Sequence, residues 1–296
     1  MTENISGAGT HPTAVDRASS RSKGNTNWPG LARNATTYAL LTVAAFVAVF
    51  PFFWMVVGAT NTSAQVLTGK VTFGDQVARN VSSFFEQVDV VRVTFNSLFI
   101  AVVGTVATLA VCSLAGYAFE IFRSRIRERI FAALLLMLSI PFAALMVPLF
   151  VLMARAGIIN TYQAVILPTV AWIFMIFYFR QVTKAFPSEL RDAARIDGLR
   201  EWQIFAYVYF PVMRSTYAAA AIIAFMHYWN NYLWPLIVLQ TSDMQTVTLV
   251  VSAVASAYTP DFGVIMVSAI FATLPTLIIF FSLQRLFVQG LLGSLK

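Results

Sequence analysis

The sequence has 296 residues, of which 58% are hydrophobic and only 11% are charged, and its mean hydropathy is +0.73. Soluble domains carry about 25% charged residues, so this composition excludes a soluble domain and predicts membrane-embedded helices. The net charge of +7 predicts contact with membrane lipid rather than nucleic acid, because basic residues of membrane proteins collect at the cytoplasmic surface. Cys112 is the only cysteine, which excludes an intrachain disulfide and a cysteine metal cluster and leaves packing as its predicted role.

The N-terminal 33 residues are polar, with Ser, Thr, Asn and Gly prominent. We predict that residues 1–33 form a flexible cytoplasmic tail, because they contain too few apolar residues to build a core. They do not look like a cleaved signal peptide, since the first apolar run starts late and is too long for one. The transmembrane domain is therefore predicted to occupy residues 34–296.

Six windows without charged residues follow along the chain, and each contains at least 23 residues. A helix needs about 20 apolar residues to cross the hydrocarbon of a bilayer, so the sequence predicts an all-α integral membrane protein with six transmembrane helices. Prolines inside the windows, such as Pro141 and Pro168, predict bent helices. The windows lie between Arg33 and Lys70, Arg92 and Glu120, Arg129 and Arg155, Arg155 and Arg180, Arg214 and Asp243, and Asp261 and Arg285.

The placement of lysine and arginine orients these helices. If the N-terminus lies inside, the inner segments carry 16 of these residues and the outer segments carry four. Cytoplasmic segments of membrane proteins hold the excess of basic residues. Both termini and the segment from Pro187 to Pro211 are therefore predicted to be cytoplasmic.

The segment Pro187–Pro211 is the one long charged stretch between otherwise apolar windows. It is too polar to lie in lipid, so it must meet water or a partner protein. Residues Ser188–Ile196 are predicted to form a helix, which Gly198 ends in the left-handed conformation.

A second short helix is predicted to begin at Leu199. Its aromatic residues Trp202, Phe205 and Tyr209 are spaced by three and four, so they are predicted to share one side. Pro211 is predicted to open the next helix, because its missing N–H is not needed in a first turn.

One pattern in this segment resembles the EAA loop of ABC importer permeases: Asp192-Ala193-Ala194, three residues, Gly198, nine residues, and then Val208-Tyr209-Phe210-Pro211. The resemblance extends from about residue 36 to residue 296. The flanking stretches that resemble permeases of the carbohydrate-uptake subfamily are Phe95–Leu98, Gly157–Thr161, Trp229–Pro235 and Gln284–Gly290.

This resemblance implies a type I ABC importer permease fold, in which the EAA loop forms a helix that docks on an ATP-hydrolysing subunit. Two adjacent alanines would let the partner backbone approach closely, and the glycine would turn the chain. The family pattern has glutamate where this chain has Asp192, whose carboxylate is one methylene shorter. The residues predicted to couple the chain to the ATPase are Glu189, Asp192, Ala193, Ala194, Asp197, Gly198 and Pro211.

The resemblance also implies a multi-pass location in the bacterial plasma (inner) membrane and three kinds of partner. These are an ABC ATPase dimer, a homologous sibling permease that forms a heterodimer with this chain, and an extracytoplasmic sugar-binding protein. The chain has no phosphate-binding loop, since Val71 follows Gly69-Lys70 and the required upstream glycine is missing. It is therefore predicted to be a non-catalytic subunit without a cofactor, and ATP and Mg²⁺ are predicted to bind the partner ATPase.

In the fifth window, His227 is followed by the aromatic and amide side chains of Trp229, Asn230, Asn231 and Tyr232. Polar groups at membrane depth are often functional, and sugars are recognised by aromatic faces and by amide hydrogen bonds. We predict that these five residues line the substrate path. The alternative is an interfacial aromatic belt, because Trp and Tyr gather at membrane boundaries.

The sequence thus predicts the permease subunit of a binding-protein-dependent ABC importer for a mono- or oligosaccharide. Within the family, the alternative is an importer of glycerol phosphate or another polyol phosphate. An ion-coupled carrier or a channel is the alternative of a different class, but a carrier needs intramembrane carboxylates and the six windows contain none. The same lack of carboxylates excludes an intramembrane protease with paired aspartates.

Overall fold

The computed structural model describes residues 28–293, and the rest of the chain, including residues 1–27 of the predicted tail, lies outside the described residues. Within that range all regular structure is helical, which confirms the predicted all-α class. The α-helices are α1 (Trp28–Ala59), α2 (Ser63–Leu67), α3 (Val77–Gln87), α4 (Val90–Ile121), α5 (Arg125–Met137), α6 (Phe142–Arg155), α7 (Tyr162–Val170), α8 (Ile173–Thr183), α9 (Ser188–Ile196), α10 (Glu201–Ile204), α11 (Phe210–Val212), α12 (Arg214–Trp229), α13 (Leu233–Val238), α14 (Val247–Ala255) and α15 (Phe262–Gly293). A π-helical turn (Phe205–Tyr209) lies between α10 and α11, and a 3-10 turn (Ser242–Met244) precedes α14.

The chain separates into two compact units, one ending at Pro51 and one beginning at Phe52. The first unit, over its described residues 28–51, is the N-terminal part of α1, and its side chains from residue 36 to residue 50 are exposed. A helix that is apolar and exposed all round is expected to face lipid. The elements of the candidate site all belong to the second unit.

Among the residues that the structure describes, three helices are long and apolar enough to cross a membrane, namely Thr36–Ala59 of α1, the whole of α4, and Phe262–Ser282 of α15. Three further pairs meet the same criterion only if both members form one bent span. These pairs are α5 with α6 (bent by 104°), α7 with α8 (44°), and Glu201–Val212 with α12 (83°). Up to six spans are therefore compatible with the fold, in agreement with the six windows, and the number and orientation of the spans stay predictions.

Two of the prolines inside the windows accompany bends, as predicted. Pro141 directly precedes α6 at the sharpest bend, and Pro168 lies near the end of α7, just before the bend into α8. Proline ends or bends a helix because it lacks the N–H of the helical hydrogen bond and restricts the preceding residue. The fifth window also contains a break, since Asn230–Tyr232 separates α12 from α13 where one helix was predicted.

Helix α4 is the centre of the second unit and packs against α7, α8 and α12. Two glycines allow these close contacts. A Cβ at Gly104 would lie 2.7 Å from the Tyr228 ring of α12, and one at Gly116 would lie 2.6 Å from Cβ of Phe179 on α8. Small residues are required where membrane helices cross closely, because packing rather than water exclusion holds such helices together.

Buried amides close the end of the second unit that is predicted to face outside. The Asn80 side chain on α3 donates hydrogen bonds to the carbonyls of Ala59 (2.9 Å) and Asn61 (3.0 Å). Gly263, at the start of α15, makes room for this amide, because a Cβ there would lie 2.4 Å from Nδ2 of Asn80. Residues 61–87 are thereby held against α15.

Candidate coupling segment and membrane cavity

We refer to Pro187–Pro211 as the coupling segment. Its first helix, α9, spans Ser188–Ile196 as predicted. Gly198 has a φ of +83°, and across this turn the amide of Leu199 donates to the carbonyl of Ala194 (3.0 Å). A Cβ at Gly198 would meet no atom within 4 Å, so the left-handed backbone, rather than a lack of space, is what favours glycine there.

The second half of the coupling segment differs from the prediction. The helix α10 ends after four residues and continues as the π-helical turn Phe205–Tyr209. A π turn contains an additional residue, so side chains spaced for one face of an α-helix rotate apart. Tyr209 is fully buried whereas Trp202 is 61% exposed, and the prediction that Trp202 shares the side of Tyr209 is therefore wrong.

Pro211 does not open the next long helix, which corrects a second prediction. It lies within the three-residue α11, and α12 begins at Arg214 beyond the bend of 83°. Proline has no N–H to bond the carbonyl four residues earlier, that of Tyr207. The helix thus loses a hydrogen bond where the π turn meets the bend.

Glu201 connects α9 to the membrane helices. Its carboxylate accepts hydrogen bonds from Arg191 (3.1 Å), from Arg195 (2.5 Å) and from the Tyr117 hydroxyl of α4 (3.4 Å). Partial burial raises the pKa of Glu201, but the hydrogen bonds from Arg195 and Arg191 outweigh it and hold that pKa below its usual value. Glu201 is therefore ionised at neutral pH, and it engages both arginines within the chain.

One face of α9 is open to solvent. It carries Glu189, Asp192 and Ala193, and it ends at Ile196, which is 87% exposed. With Asp197 beyond them, these residues follow a spacing of three and four, which defines one side of a helix. None of the three carboxylates forms an ion pair with a side chain that the structure describes. This surface combines small, apolar and acidic side chains that the chain leaves uncovered.

Ala194 lies on the opposite face of α9. It is buried, where α9 packs against α10 and the π turn. The prediction that both alanines meet a partner is therefore wrong for Ala194, and Ala193 stays the predicted partner contact.

An aromatic cluster anchors the coupling segment to α4 and α8. The Tyr117 ring contacts Phe205 and Tyr209 edge-on, with ring centroids 5.2 and 4.9 Å apart. The hydroxyls of Tyr209 and Thr183 on α8 share a hydrogen bond of 2.7 Å, and Phe186 packs on the Tyr209 ring at 5.2 Å. Tyr117 and Thr183 were not predicted from the sequence, because no local pattern distinguishes them from other residues of a membrane helix.

A cavity of about 380 Å³ lies beside His227. The imidazole of His227 stacks on the Trp172 indole, with ring centroids 4.2 Å apart and planes at 21°. Polar groups in the wall come from His227, Thr169 and Asn231. The cavity is lined by Leu138, Phe142, Leu145, Leu149, Pro168, Thr169, Ala171, Trp172, Ile173, His227 and Asn231.

Three helix breaks converge on this cavity. Leu138 and Phe142 flank the break between α5 and α6, Ala171 and Trp172 form the break between α7 and α8, and Asn231 lies between α12 and α13. Discontinuous helices form the substrate sites of many transporters, because unwound backbone can bond a ligand where it lines a cavity. Sequence analysis missed Trp172, although the nearby Pro168 indicated that the helix breaks there.

A second concavity, of about 400 Å³, adjoins the first through Phe142, His227 and Asn231. Four of the five residues predicted for the substrate path line it together: His227, Asn230, Asn231 and Tyr232.

Trp229 does not belong to this group. It is buried, and its indole Nε1 donates a hydrogen bond to the Ala272 carbonyl of α15 (3.0 Å). Its ring also stacks on Phe225 within α12, with centroids 5.9 Å apart. The prediction of Trp229 as a path residue is therefore wrong, since this side chain packs α12 against α15.

Comparisons with known proteins agree with this fold. A family model described as a binding-protein-dependent transport system inner membrane component matches residues 113–293. The chain is 62% identical to the lactose transport system permease protein LacG of Rhizobium radiobacter, over 88% of this chain and 95% of that protein. It is 35% identical to the arabinooligosaccharides transport system permease protein AraQ of Halalkalibacterium halodurans, over 85% of this chain and 92% of that protein.

Among solved structures, the fold is similar to that of a chain from a bacterial ABC transporter involved in the import of the acidic polysaccharide alginate. The TM-score is 0.75, and the similarity covers 87% of this chain and 97% of that chain. The sequence identity is 18%, so the likeness concerns the fold alone.

Proposed function

The chain belongs to the family of binding-protein-dependent transport system inner membrane components, and we propose that it is the permease subunit of an ABC importer for a sugar. One observation carries this proposal, the 62% identity over 88% of the chain to a permease named for lactose transport. The substrate we propose is a mono- or oligosaccharide. The second relative, named for arabinooligosaccharide transport, supports the same class of substrate.

The proposed partner of the open face of α9 is an ABC ATPase, which would bind and hydrolyse ATP with Mg²⁺. Ala193 offers no side chain beyond Cβ, so a partner backbone can approach closely, and the neighbouring Ile196 is 87% exposed and would be covered by docking. The carboxylate of Asp192, which forms no ion pair with the described side chains, is available to a basic or amide group of the partner. In this mechanism, closure of two ATPase subunits displaces α9, and the displacement opens the path alternately to the two sides of the membrane.

The proposed substrate path passes the cavity at His227. The Trp172–His227 stack presents a ring face to the apolar C–H side of a sugar, while Asn231 and Thr169 supply groups that hydrogen-bond hydroxyls. An apolar cavity with a few polar groups is the usual form of a small-molecule site. A homologous sibling permease, paired with this chain as a heterodimer, would complete the path, and an extracytoplasmic sugar-binding protein would deliver the substrate.

The test of the function is purification of the tagged chain in mild detergent, followed by reconstitution with the proteins that accompany it. We expect an ABC ATPase and a second permease to be recovered, and we expect ATP-dependent uptake of lactose or an arabinooligosaccharide when the binding protein is added. ATP-dependent uptake of glycerol phosphate instead would identify a polyol phosphate importer. Solute movement by the chain alone, without ATP, would replace the proposal by a carrier or a channel.

The test of the path is Trp172→Ala. Loss of the stacking face is expected to raise the KM for sugar uptake roughly two- to tenfold, since aromatic contacts contribute about 0.5–1.5 kcal/mol. Phe281→Ala, which truncates an exposed ring on α15, is the control and should leave KM unchanged. An unchanged KM in Trp172→Ala would remove this cavity from the path.

A further inference from the structure

Two oppositely charged side chains are buried where α4 and α8 approach the coupling segment. Glu120 and Arg180 are 8% and 7% exposed, and Nε of Arg180 lies 3.3 Å from Oε2 of Glu120. Glu128 at the start of α5 accepts a second bond from Arg180 (2.5 Å), and Arg123 pairs with the other oxygen of Glu120. The negative charges of the two carboxylates thus equal the positive charges of the two guanidinium groups.

The burial of Glu120 and Arg180 is unusual for their places in the sequence. Each ends a charge-free window of the sequence, where a charged side chain is expected to reach water. The structure instead turns both side chains inward between the helices.

The helix crossing explains this burial. Gly116 precedes Glu120 by four residues and therefore lies on the same face of α4. A Cβ at Gly116 would be 2.7 Å from the amide nitrogen of Arg180, so the two backbones nearly touch one turn from the ion pair. The Arg180 guanidinium also lies over the Phe131 ring of α5, 4.0 Å from its centroid, and α4, α5 and α8 all meet at this side chain.

A buried ion pair contributes little net stability, because the cost of desolvating two charges offsets their attraction. Apolar side chains of similar volume are often equally stabilising in the same place. What such a pair does provide is geometry, since its hydrogen bonds are satisfied in only one register of the two helices. The Glu120–Arg180 pair therefore fixes how α4 and α8 lie against each other.

The neighbouring turns of the same two helices hold the coupling segment. Tyr117, three residues before Glu120, donates its hydroxyl to Glu201 (3.4 Å). Thr183, three residues after Arg180, shares its hydroxyl with Tyr209 (2.7 Å). Each helix thus contacts the coupling segment one turn away from the pair that locks it to the other helix.

We propose that Glu120 and Arg180 are positioning residues for energy coupling. By holding α4 and α8 in one register, they make a displacement of the coupling segment move both helices together. Without the pair, the two helices slip against each other, and part of the displacement is lost before it reaches the cavity. The inference rests on the proposed function, and its signature is a fall in sugar transported per ATP hydrolysed while hydrolysis itself continues.

The test is the double variant Glu120→Leu/Arg180→Met, which removes both charges and keeps apolar volume at the crossing. In the reconstituted complex we expect the ratio of sugar transported to ATP hydrolysed to fall between about twofold and about thirtyfold, the range expected for residues that couple distant sites. The control is Arg92→Met/Asp243→Leu, since Arg92 and Asp243 form an exposed ion pair (3.7 Å) at the other end of α4. Arg180→Lys, which keeps the charge but not the planar fork, should give an intermediate ratio.

Two results would overturn the inference. One is a wild-type transport ratio in the double variant, and the other is a loss of uptake that only follows the amount of assembled complex.

Hydrogen exchange of residues 188–212 in the purified full chain is a second measurement, and it needs neither ATP nor sugar. Exchange should be faster in the double variant than in the control, and equal exchange would refute the positioning role. If the wild-type complex hydrolyses ATP but moves no sugar, the proposed function fails. The hydrogen-exchange comparison then tests the positioning role of Glu120 and Arg180 by itself.

Discussion

Gly198 and Gly69 both hold positive φ angles, +83° and +76°, and a Cβ at either position would meet no atom within 4 Å. A β-branched residue with such a positive φ raises the conformational free energy of the folded chain by about 1–3 kcal/mol. The turn is expected to unwind because unwinding relieves this strain. At Gly198 the turn orients α9 on the coupling segment, whereas Gly69 lies at the other end of the second unit.

Gly198→Val is therefore expected to abolish sugar uptake while the chain still inserts in the membrane. Gly69→Val, with nearly the same backbone strain, should insert equally and retain most of its uptake. Uptake by vesicles and the amount of inserted chain would be measured side by side. Normal uptake by Gly198→Val would refute a role of this turn in coupling.

The stability of the coupling segment depends on pH through the protonation of Glu201. Its pKa is lower in the folded chain than the value of about 4.3 for an unperturbed glutamate. The stability from its bonds to Arg191 and Arg195 is thus fully present above the unfolded pKa and is lost as the pH falls through the folded pKa.

We expect the melting temperature of Glu201→Gln to lie below that of the wild type at neutral pH. This difference should shrink as the pH falls below the unfolded pKa of about 4.3 and vanish as the pH falls through the folded pKa. Glu189→Gln is the control, because the exposed Glu189 forms no ion pair with the side chains that the structure describes, and its melting temperature should stay close to that of the wild type. A difference that widens with acidification would contradict this assignment.

At the scale of the element, α9 has two faces with opposite requirements. Ala193 is exposed beside Ile196, while Ala194 is buried against α10 and the π turn. Sequence alone gives the two alanines the same role, and only their position around the helix separates them.

Ala193→Leu is expected to prevent recovery of the ATPase without changing the melting temperature of the isolated chain. Ala194→Leu should lower the melting temperature, because overpacking a buried site costs about 1–3 kcal/mol. Co-purification and thermal unfolding would be measured for both variants. Recovery of the ATPase together with the Ala193→Leu variant would show that docking uses another surface.

At the scale of the whole molecule, the excess of basic residues predicts that α9 lies on the cytoplasmic side and that the turn before α15 lies outside. Each side offers a well-exposed reporter position, since Ile196 is 87% exposed and Tyr258 is fully exposed. The buried Cys112 is replaced by serine to provide a background without thiols.

In that background, a membrane-impermeant thiol reagent applied to spheroplasts is expected to modify Tyr258→Cys but not Ile196→Cys. When the chain is expressed without the ATPase, which would cover residue 196, permeabilisation should then expose Ile196→Cys to the reagent. The reverse pattern would show that the orientation derived from the charges is inverted.

The membrane class, the family and the first half of the coupling segment follow from the sequence by itself. Their signals are local, since a window needs only consecutive apolar residues, and the end of α9 needs only a glycine that tolerates positive φ. The resemblance to ABC importer permeases is confirmed by the family match over residues 113–293, and its carbohydrate-uptake part is confirmed by the identity to the permeases named for lactose and arabinooligosaccharide transport.

Only the tertiary structure decided which side chains of these helices face one another. The burial of Ala194, the inward turn of Trp229 and the stack of His227 on Trp172 depend on the paths of helices that are distant in sequence. The Glu120–Arg180 pair has the same origin, because the close crossing at Gly116 buries both charges. Local patterns report backbone conformation, whereas the crossing of helices decides which side chains meet.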